Sequence, residues 1–172
     1  METASLPAAA APPLVTPESG FRELYQRHAA TVYRTALRVT GNAADAEDVL
    51  QNVFLRILNR KLTVDNEWSP EGYLRRAATN ASIDLLRRKT KAAETSLPEG
   101  LDLGTRETPL LLKERLRRAL AKISQADAEM FVLCYLEGYS YAELSELLEL
   151  EPGTVASRLF RIRAALREQL SK

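Results

Sequence analysis

Arg158, Arg161 and Arg163 stand with Thr154, Ser157 and Phe160 in a stretch whose apolar residues Val155, Leu159, Ile162 and Leu166 recur at steps of three and four. That recurrence predicts a helix with the apolar four facing a core and the other six turned outward. An arginine on such a face can make two parallel hydrogen bonds to a guanine edge, worth about 1–3 kcal/mol of discrimination per good pair; lysine does this less well. Upstream, Ser140 and Glu143 have capping-box spacing, so a short helix starts at Tyr141, and the segment from Glu149 to Pro152 interrupts it before the arginine helix begins. Two short helices around a tight connection, the second rich in arginine, form the helix-turn-helix layout that reads DNA. For the arginine helix taken alone, a solvated basic face is the alternative.

A second set of polar residues repeats between Pro70 and Lys89. Leu74, Ala78, Ala81 and Leu85 recur on one helical face, and Arg76, Asn80, Asp84 and Arg87 on another. Asn80 can offer a base edge both a donor and an acceptor, while Arg75, Arg76, Arg87 and Arg88 can hold phosphates. Trp68, in the preceding loop, could stack on an exposed base or simply pack at the loop edge. A third set lies between Ala43 and Arg60. There Val49, Leu50, Val53, Ile57 and Leu58 form an inward stripe, which leaves Asp45, Asp48, Gln51, Asn52 and Leu55 on other faces. A carboxylate-and-amide surface of that kind suits arginines on a protein partner, with a solvated acidic face as the alternative.

The elements that must carry these sets are marked by helix punctuation. Thr16-Pro17, Ser69-Pro70 and Thr108-Pro109 each put an N-cap residue before a proline at the first helical position, and Asn42 with Asp45 does the same work without proline. Helices are expected over Pro17 to Thr40, Ala43 to Arg60, Pro70 to Lys89, Pro109 to Lys122, Asp127 to Glu137, Tyr141 to Leu148 and Pro152 to Leu170. No strand pattern competes, so the fold class is all-α. Residues 91–107 contain Pro98, Gly100 and Gly104 with little periodicity and read as a flexible linker between two small domains, 17–90 and 108–172. Residues 1–16, broken by Pro7, Pro12 and Pro13 and without a basic leader, read as a disordered tail.

Charge sharpens this division. The net charge is only +1 over 172 residues, but Arg75, Arg76, Arg87, Arg88, Lys89 and Lys91 stand against Asp84 alone, and the last helix is similarly basic. Acid is grouped at Asp45, Glu47 and Asp48 and again from Asp127 to Glu151. Two basic surfaces separated by acidic ones imply two nucleic-acid contacts and at least one protein contact.

Enzyme chemistry finds no support in the residues. The single histidine, His28, falls between Leu24 and Val32 at helical spacing, there is no phosphate-cradling glycine loop, and no nucleophile has its base at a recognisable spacing. The single cysteine, Cys134, excludes an intramolecular disulfide and a cysteine cluster for zinc, so neither metal nor cofactor is expected. No apolar run is long enough to span a membrane, and a cytoplasmic location is expected.

VYRTALRVTGNAADAEDVLQNVFLRIL (Val32 to Leu58) and YLRRAATNASIDLLRR (Tyr73 to Arg88) resemble the promoter-opening domain of extracytoplasmic-function sigma factors of the sigma-70 family. LEGYSYAELSELLELEPGTVASRLFRIRAAL (Leu136 to Leu166) is similar to the promoter-binding C-terminal domain of the same group. The resemblance covers the chain beyond its N-terminal tail, in the family's order and with its linker. It implies a non-catalytic initiation factor that brings core RNA polymerase to promoter DNA and helps open it, with an anti-sigma factor as a further partner. By the same resemblance, Asp45, Asp48, Gln51, Asn52 and Leu55 grip a coiled coil of the polymerase. Trp68, Arg75, Arg76, Asn80, Arg87 and Arg88 meet the minus-ten element and a flipped base, with Asp84 orienting an arginine. Thr154, Ser157, Arg158, Phe160, Arg161 and Arg163 meet the minus-thirty-five element.

The chain departs from the family pattern twice. Ala156 stands where the family is often basic, which removes one DNA contact, and Glu149 replaces the common turn glycine, which requires a turn that tolerates a side chain. The alternatives to a sigma factor are a stand-alone helix-turn-helix regulator and a helical adaptor that sequesters a regulator.

Overall fold

The computed structural model describes residues 17–60, 70–96 and 108–171. Within them the chain forms α1 (Pro17–Thr40), α2 (Ala43–Arg60), α3 (Pro70–Ser96), α4 (Pro109–Lys122), α5 (Gln125–Tyr135), α6 (Tyr141–Leu148) and α7 (Pro152–Leu170). The caps explain the boundaries. Thr108 Oγ1 accepts from the Leu111 amide ahead of Pro109, and Ser140 and Glu143 close the expected capping box in both directions. Helix α5 starts two residues earlier than the sequence reading, because Ser124 is its N-cap and accepts from the Asp127 amide. Helix α3 continues past Lys89 to Ser96, since Lys91, Ala92, Ala93 and Glu94 are good helix formers and the first breaker is Pro98.

Two helical clusters follow. In the first, Val32 and Ala36 of α1, Val49, Val53, Phe54 and Ile57 of α2, and Leu74, Ala78 and Ala81 of α3 are buried together. Phe54 meets the Tyr25 ring edge-on with centroids 4.8 Å apart, an arrangement that the ring quadrupoles favour. Leu58, expected in the inward stripe of α2, is instead exposed, and Phe54 holds the core position that the stripe left unassigned. The reason is geometric: Val53, Phe54 and Ile57 already complete a three-and-four repeat, and Leu58 falls beyond its edge.

The second cluster packs α4 to α7 around Leu120, Met130, Leu133, Leu144, Val155, Leu159, Ile162 and Leu166. Truncation of a fully buried leucine such as Leu144 or Leu159 would cost about 2–5 kcal/mol. The clusters also touch. Val39 of α1 and Ile83 and Leu86 of α3 belong to this second core, so α3 is buried on two faces, one against α1 and α2 and the other against α4 and α5. Arg117 of α4 closes the seam by donating from Nε to the Val39 carbonyl at 3.1 Å. Its guanidinium lies over Gly41, which has φ +68° and no side chain to obstruct it.

Candidate nucleic-acid interface

Helix α7 sets its sequence-predicted residues on a frame fixed by four buried side chains: Val155, Leu159, Ile162 and Leu166 are at most 3% exposed. Thr154, Ser157, Phe160 and Arg161 are therefore exposed, and Arg158 is half-buried. Thr154, Arg158 and Arg161 line one groove with Ile123 and Asp127, so they share a face. Arg158 is held there by Asp127, to which its Nε donates at 2.7 Å. Asp127 is pulled two ways: partial burial raises its pKa, but hydrogen bonding from Ser124 and Arg158, with the nearby charge of Arg161, holds the carboxyl below its ordinary value. Arg163 is not brought to that face. It sits close enough to Cys134 and Tyr135 for its charge to act on both, on the flank toward α5. Cys134 itself packs against the core, and burial pushes its thiol up, the opposite of what a nucleophile needs.

The connection into α7 solves the missing glycine directly. Glu149 takes the left-handed conformation at φ 54°, ψ 46°, with its amide directed at the Ser145 and Glu146 carbonyls. The Leu150 amide also donates to the Ser145 carbonyl at 2.9 Å, and Ser145 Oγ donates to the Leu150 carbonyl. The turn thus keeps its geometry with a side chain present, at the cost of left-handed strain. Ala156 is exposed on α7 and adds no polar group.

On α2, Asp48, Gln51, Asn52 and Leu55 are exposed as expected. Asp45 is not. It is buried and accepts from Lys89 Nζ through both carboxylate oxygens at 2.6 Å, so the expectation that it faces outward with the others is corrected. The N-terminal turn of α2 packs close to α3, and a carboxylate there is spent on the α3 lysine. Between α2 and α3 a groove brings Asp48, Gln51, Asn52 and Leu55 together with Asp84, Arg87 and Arg88, so two residue sets that the sequence treated separately adjoin.

The α3 polar stripe has unexpected partners. Arg75 donates to Glu71 and, from Nη1, to Glu137 at 2.7 Å; Arg76 Nε donates to Glu129 at 2.5 Å; Asn80 Nδ2 donates to the same Glu129 oxygen at 3.0 Å. Gln125 donates to Asn80 Oδ1 at 3.0 Å, and Arg87 donates to the Ile123 carbonyl at 2.5 Å. Burial disfavours the charged form of Arg75, yet its bonds to Glu71 and Glu137 raise its pKa above the ordinary arginine value. Arg88 is exposed. Asp84 is exposed too, and Arg75 and Arg76 are oriented by Glu71, Glu129 and Glu137 instead. Trp68 lies outside the described residues.

Glu129 and Glu137 were missed as individual residues because the acidic stretch reads only as a whole, as a surface for a protein contact. A signal was available: Glu129 interrupts the apolar run from Ala128 to Leu133, where a carboxylate needs a partner. Glu137 is placed by the turn after α5, in which Gly138 at φ 80° lets the Tyr139 amide donate back to the Leu133 carbonyl at 3.0 Å.

Comparison with known proteins agrees with this two-part organisation. Residues 24–92 match Sigma-70 region 2, and residues 113–166 match Sigma-70, region 4. The extracytoplasmic-function RNA polymerase sigma factor SigE of Mycolicibacterium smegmatis is 37% identical over 87% of this chain, which spans 61% of that relative. SigL of Mycobacterium tuberculosis, of the same group, is 34% identical over 88% of this chain and 89% of its own length. Among solved structures, CnrH in complex with the cytosolic domain of CnrY shares the fold, with a TM-score of 0.55 and 24% identity over 90% of this chain and 89% of that one. With both sigma-70 regions in order on one chain and SigL matched nearly end to end, the protein belongs to the extracytoplasmic-function sigma factors, non-catalytic members of the sigma-70 family that direct RNA polymerase to promoters.

Proposed function

We propose that the exposed face of α2, with Asp48, Gln51, Asn52 and Leu55, docks on core RNA polymerase. The α3 stripe then captures the minus-ten element while α7 holds the minus-thirty-five duplex. In this division Arg158 and Arg161, with Thr154, Ser157 and Phe160, anchor the upstream duplex, and Arg163 lies at the margin. Asn80 offers a donor and an acceptor to a base of the separating strand, Arg75, Arg76, Arg87 and Arg88 take phosphates, and Trp68 stacks on a base. Capture of the base offsets the few kcal/mol of unstacking that opening requires.

The observation that carries the reading is the groove in which Asp48, Gln51, Asn52 and Leu55 adjoin Arg87 and Arg88. It supports a polymerase-facing edge that runs directly into a cationic strand-facing one, so docking would deliver the minus-ten surface to the DNA. An anti-sigma protein is a further proposed partner, by analogy with the sigma factor RpoE of Bartonella quintana, of similar fold, whose structure was solved with the anti-sigma factor NepR.

Run-off transcription with core polymerase on a promoter library tests the reading. Template-specific transcripts are expected. A folded chain that yields none from any template would overturn it, and tight duplex binding without polymerase would point to a stand-alone regulator.

A further inference from the structure

We infer that Glu129 and Glu137 are an internal latch that occupies the minus-ten face of the free chain, so the C-terminal cluster competes with single-stranded DNA for Arg75, Arg76 and Asn80. This rests on the assignment of the α3 stripe to the minus-ten strand.

The chemistry of the contact is that of a nucleic-acid ligand. One oxygen of Glu129 accepts from both Arg76 and Asn80, as a phosphate oxygen or a base acceptor would. Glu137, whose side chain is 0% exposed, accepts from Arg75 and Thr35 through one oxygen and from Arg38 through the other. Gln125 takes the acceptor of Asn80, and the Ile123 carbonyl takes Arg87. Leu147 of α6 lies against Gly72, so the occlusion runs from the first turn of α3 along its length. A strand approaching Asn80 meets a side chain whose donor and acceptor are both engaged.

The same geometry makes the latch reversible. Buried ion pairs trade Coulomb attraction against desolvation, so the glutamate pairs hold the closed form less strongly than their short distances imply, and the apolar seam of Val39, Ile83 and Leu86 supplies the rest of the closure that the strand must overcome. On opening, both carboxylates return to water and none is stranded. DNA supplies α3 with equivalent acceptors, so exchange keeps its donors paired. The groove beside Leu55 and Arg88 stays open in the closed form, which leaves the proposed polymerase-docking side of α2 available before the latch is released.

The test uses the full chain with Cys134→Ser, and dyes on Glu47→Cys and Ala164→Cys, both exposed positions. Fluorescein-labelled random-sequence single-stranded DNA is the probe for anisotropy, and energy transfer between the dyes, in samples with unlabelled DNA, reports separation of the clusters. Glu129→Gln with Glu137→Gln keeps side-chain shape, and circular dichroism verifies folding. The double variant is expected to bind the strand at least about tenfold more tightly, because apparent affinity scales with the open fraction, and to show lower transfer. In the chain with native glutamates, saturating strand must itself lower the transfer, since competition is reciprocal.

Binding of the double variant within twofold of its parent, or transfer in the parent that ignores saturating strand, overturns the latch. So does loss of promoter opening by polymerase holoenzyme carrying the double variant, because there the glutamates would be serving the DNA contact itself. Asn80→Ala in the holoenzyme isolates the underlying assignment: unchanged opening sinks the minus-ten reading, whereas impaired opening without a gain in the double variant sinks only the latch.

Discussion

Asp127 accepts from Arg158 Nε at 2.7 Å, so the first turn of α5 is tied to α7 across the C-terminal core. The pair is about a third exposed on each side, which limits its strength to about 1 kcal/mol or less. Its larger effect is to aim Arg158 along the face that carries Thr154 and Arg161.

Asp127→Asn is therefore expected to lower the midpoint of thermal unfolding by only a few degrees while flattening its acid dependence. The Asp127 carboxyl is held below its ordinary value of 3.8 in the folded chain. A depressed pKa gives stability that is complete above the unfolded value and disappears as pH falls through the folded one. Melting curves at neutral pH and at acid pH below 3.8 check this: the gap between native and variant chains should persist down to the unfolded value and narrow below it, and a constant gap there would contradict the assignment.

Asp45 and Asp48 are three residues apart and should separate in function. Asp48 is exposed beside Gln51 and Asn52, whereas Asp45 is buried on Lys89. Asp48→Arg should weaken association with core polymerase about tenfold or more, since on the proposed docking face the reversed charge would oppose partner arginines. Asp45→Asn should instead reduce stability, with affinity for core within about threefold of native. Fluorescence titration with labelled core, beside thermal melts, separates the two.

That contrast also shows what local pattern can and cannot convey. The boundaries of α1, α2, α4, α6 and α7 follow from cap residues and prolines, which act within a turn, and the inward four of α7 follow from period alone. Asp45 could not be assigned this way, because its partner Lys89 lies on another helix 44 residues away. The partners of Arg76 and Asn80 are more distant still, on α5, and no periodicity within α3 encodes them. Leu58 fails for a related reason: the width of the buried stripe on α2 is set by what α1 and α3 cover.

Gly41 marks where the two clusters meet at the end of α1. Its φ of +68° is costly for a residue with Cβ, and that Cβ would overlap the Arg117 guanidinium. Gly41→Ala should destabilise the chain by about 1–2 kcal/mol from the backbone alone, with a further loss if Arg117 gives up its bond to the Val39 carbonyl. Arg117→Ala in the Gly41→Ala background tells the two apart. If steric overlap contributes, the two substitutions together will cost less than the sum of their separate effects in denaturant titration.

Glu149 offers the opposite case, a site where the native residue is the strained one. Its left-handed conformation is imposed by the turn between α6 and α7, with the Leu150 amide on the Ser145 carbonyl fixing the chain on its far side. Glycine meets no Cβ penalty there, and Glu149→Gly should stabilise the fold by about 1 kcal/mol after its greater loss of backbone freedom is counted. For a chain of this size that is a rise of about 2–4 °C in the unfolding midpoint. The substitution also removes a carboxylate from the turn leading into α7, so duplex affinity of the holoenzyme should rise, most at low salt where phosphate repulsion is least screened. A variant that gains stability but shows no salt-dependent gain in affinity would mean that the Glu149 carboxylate points away from the DNA backbone. One that loses stability would mean that the side chain makes the turn.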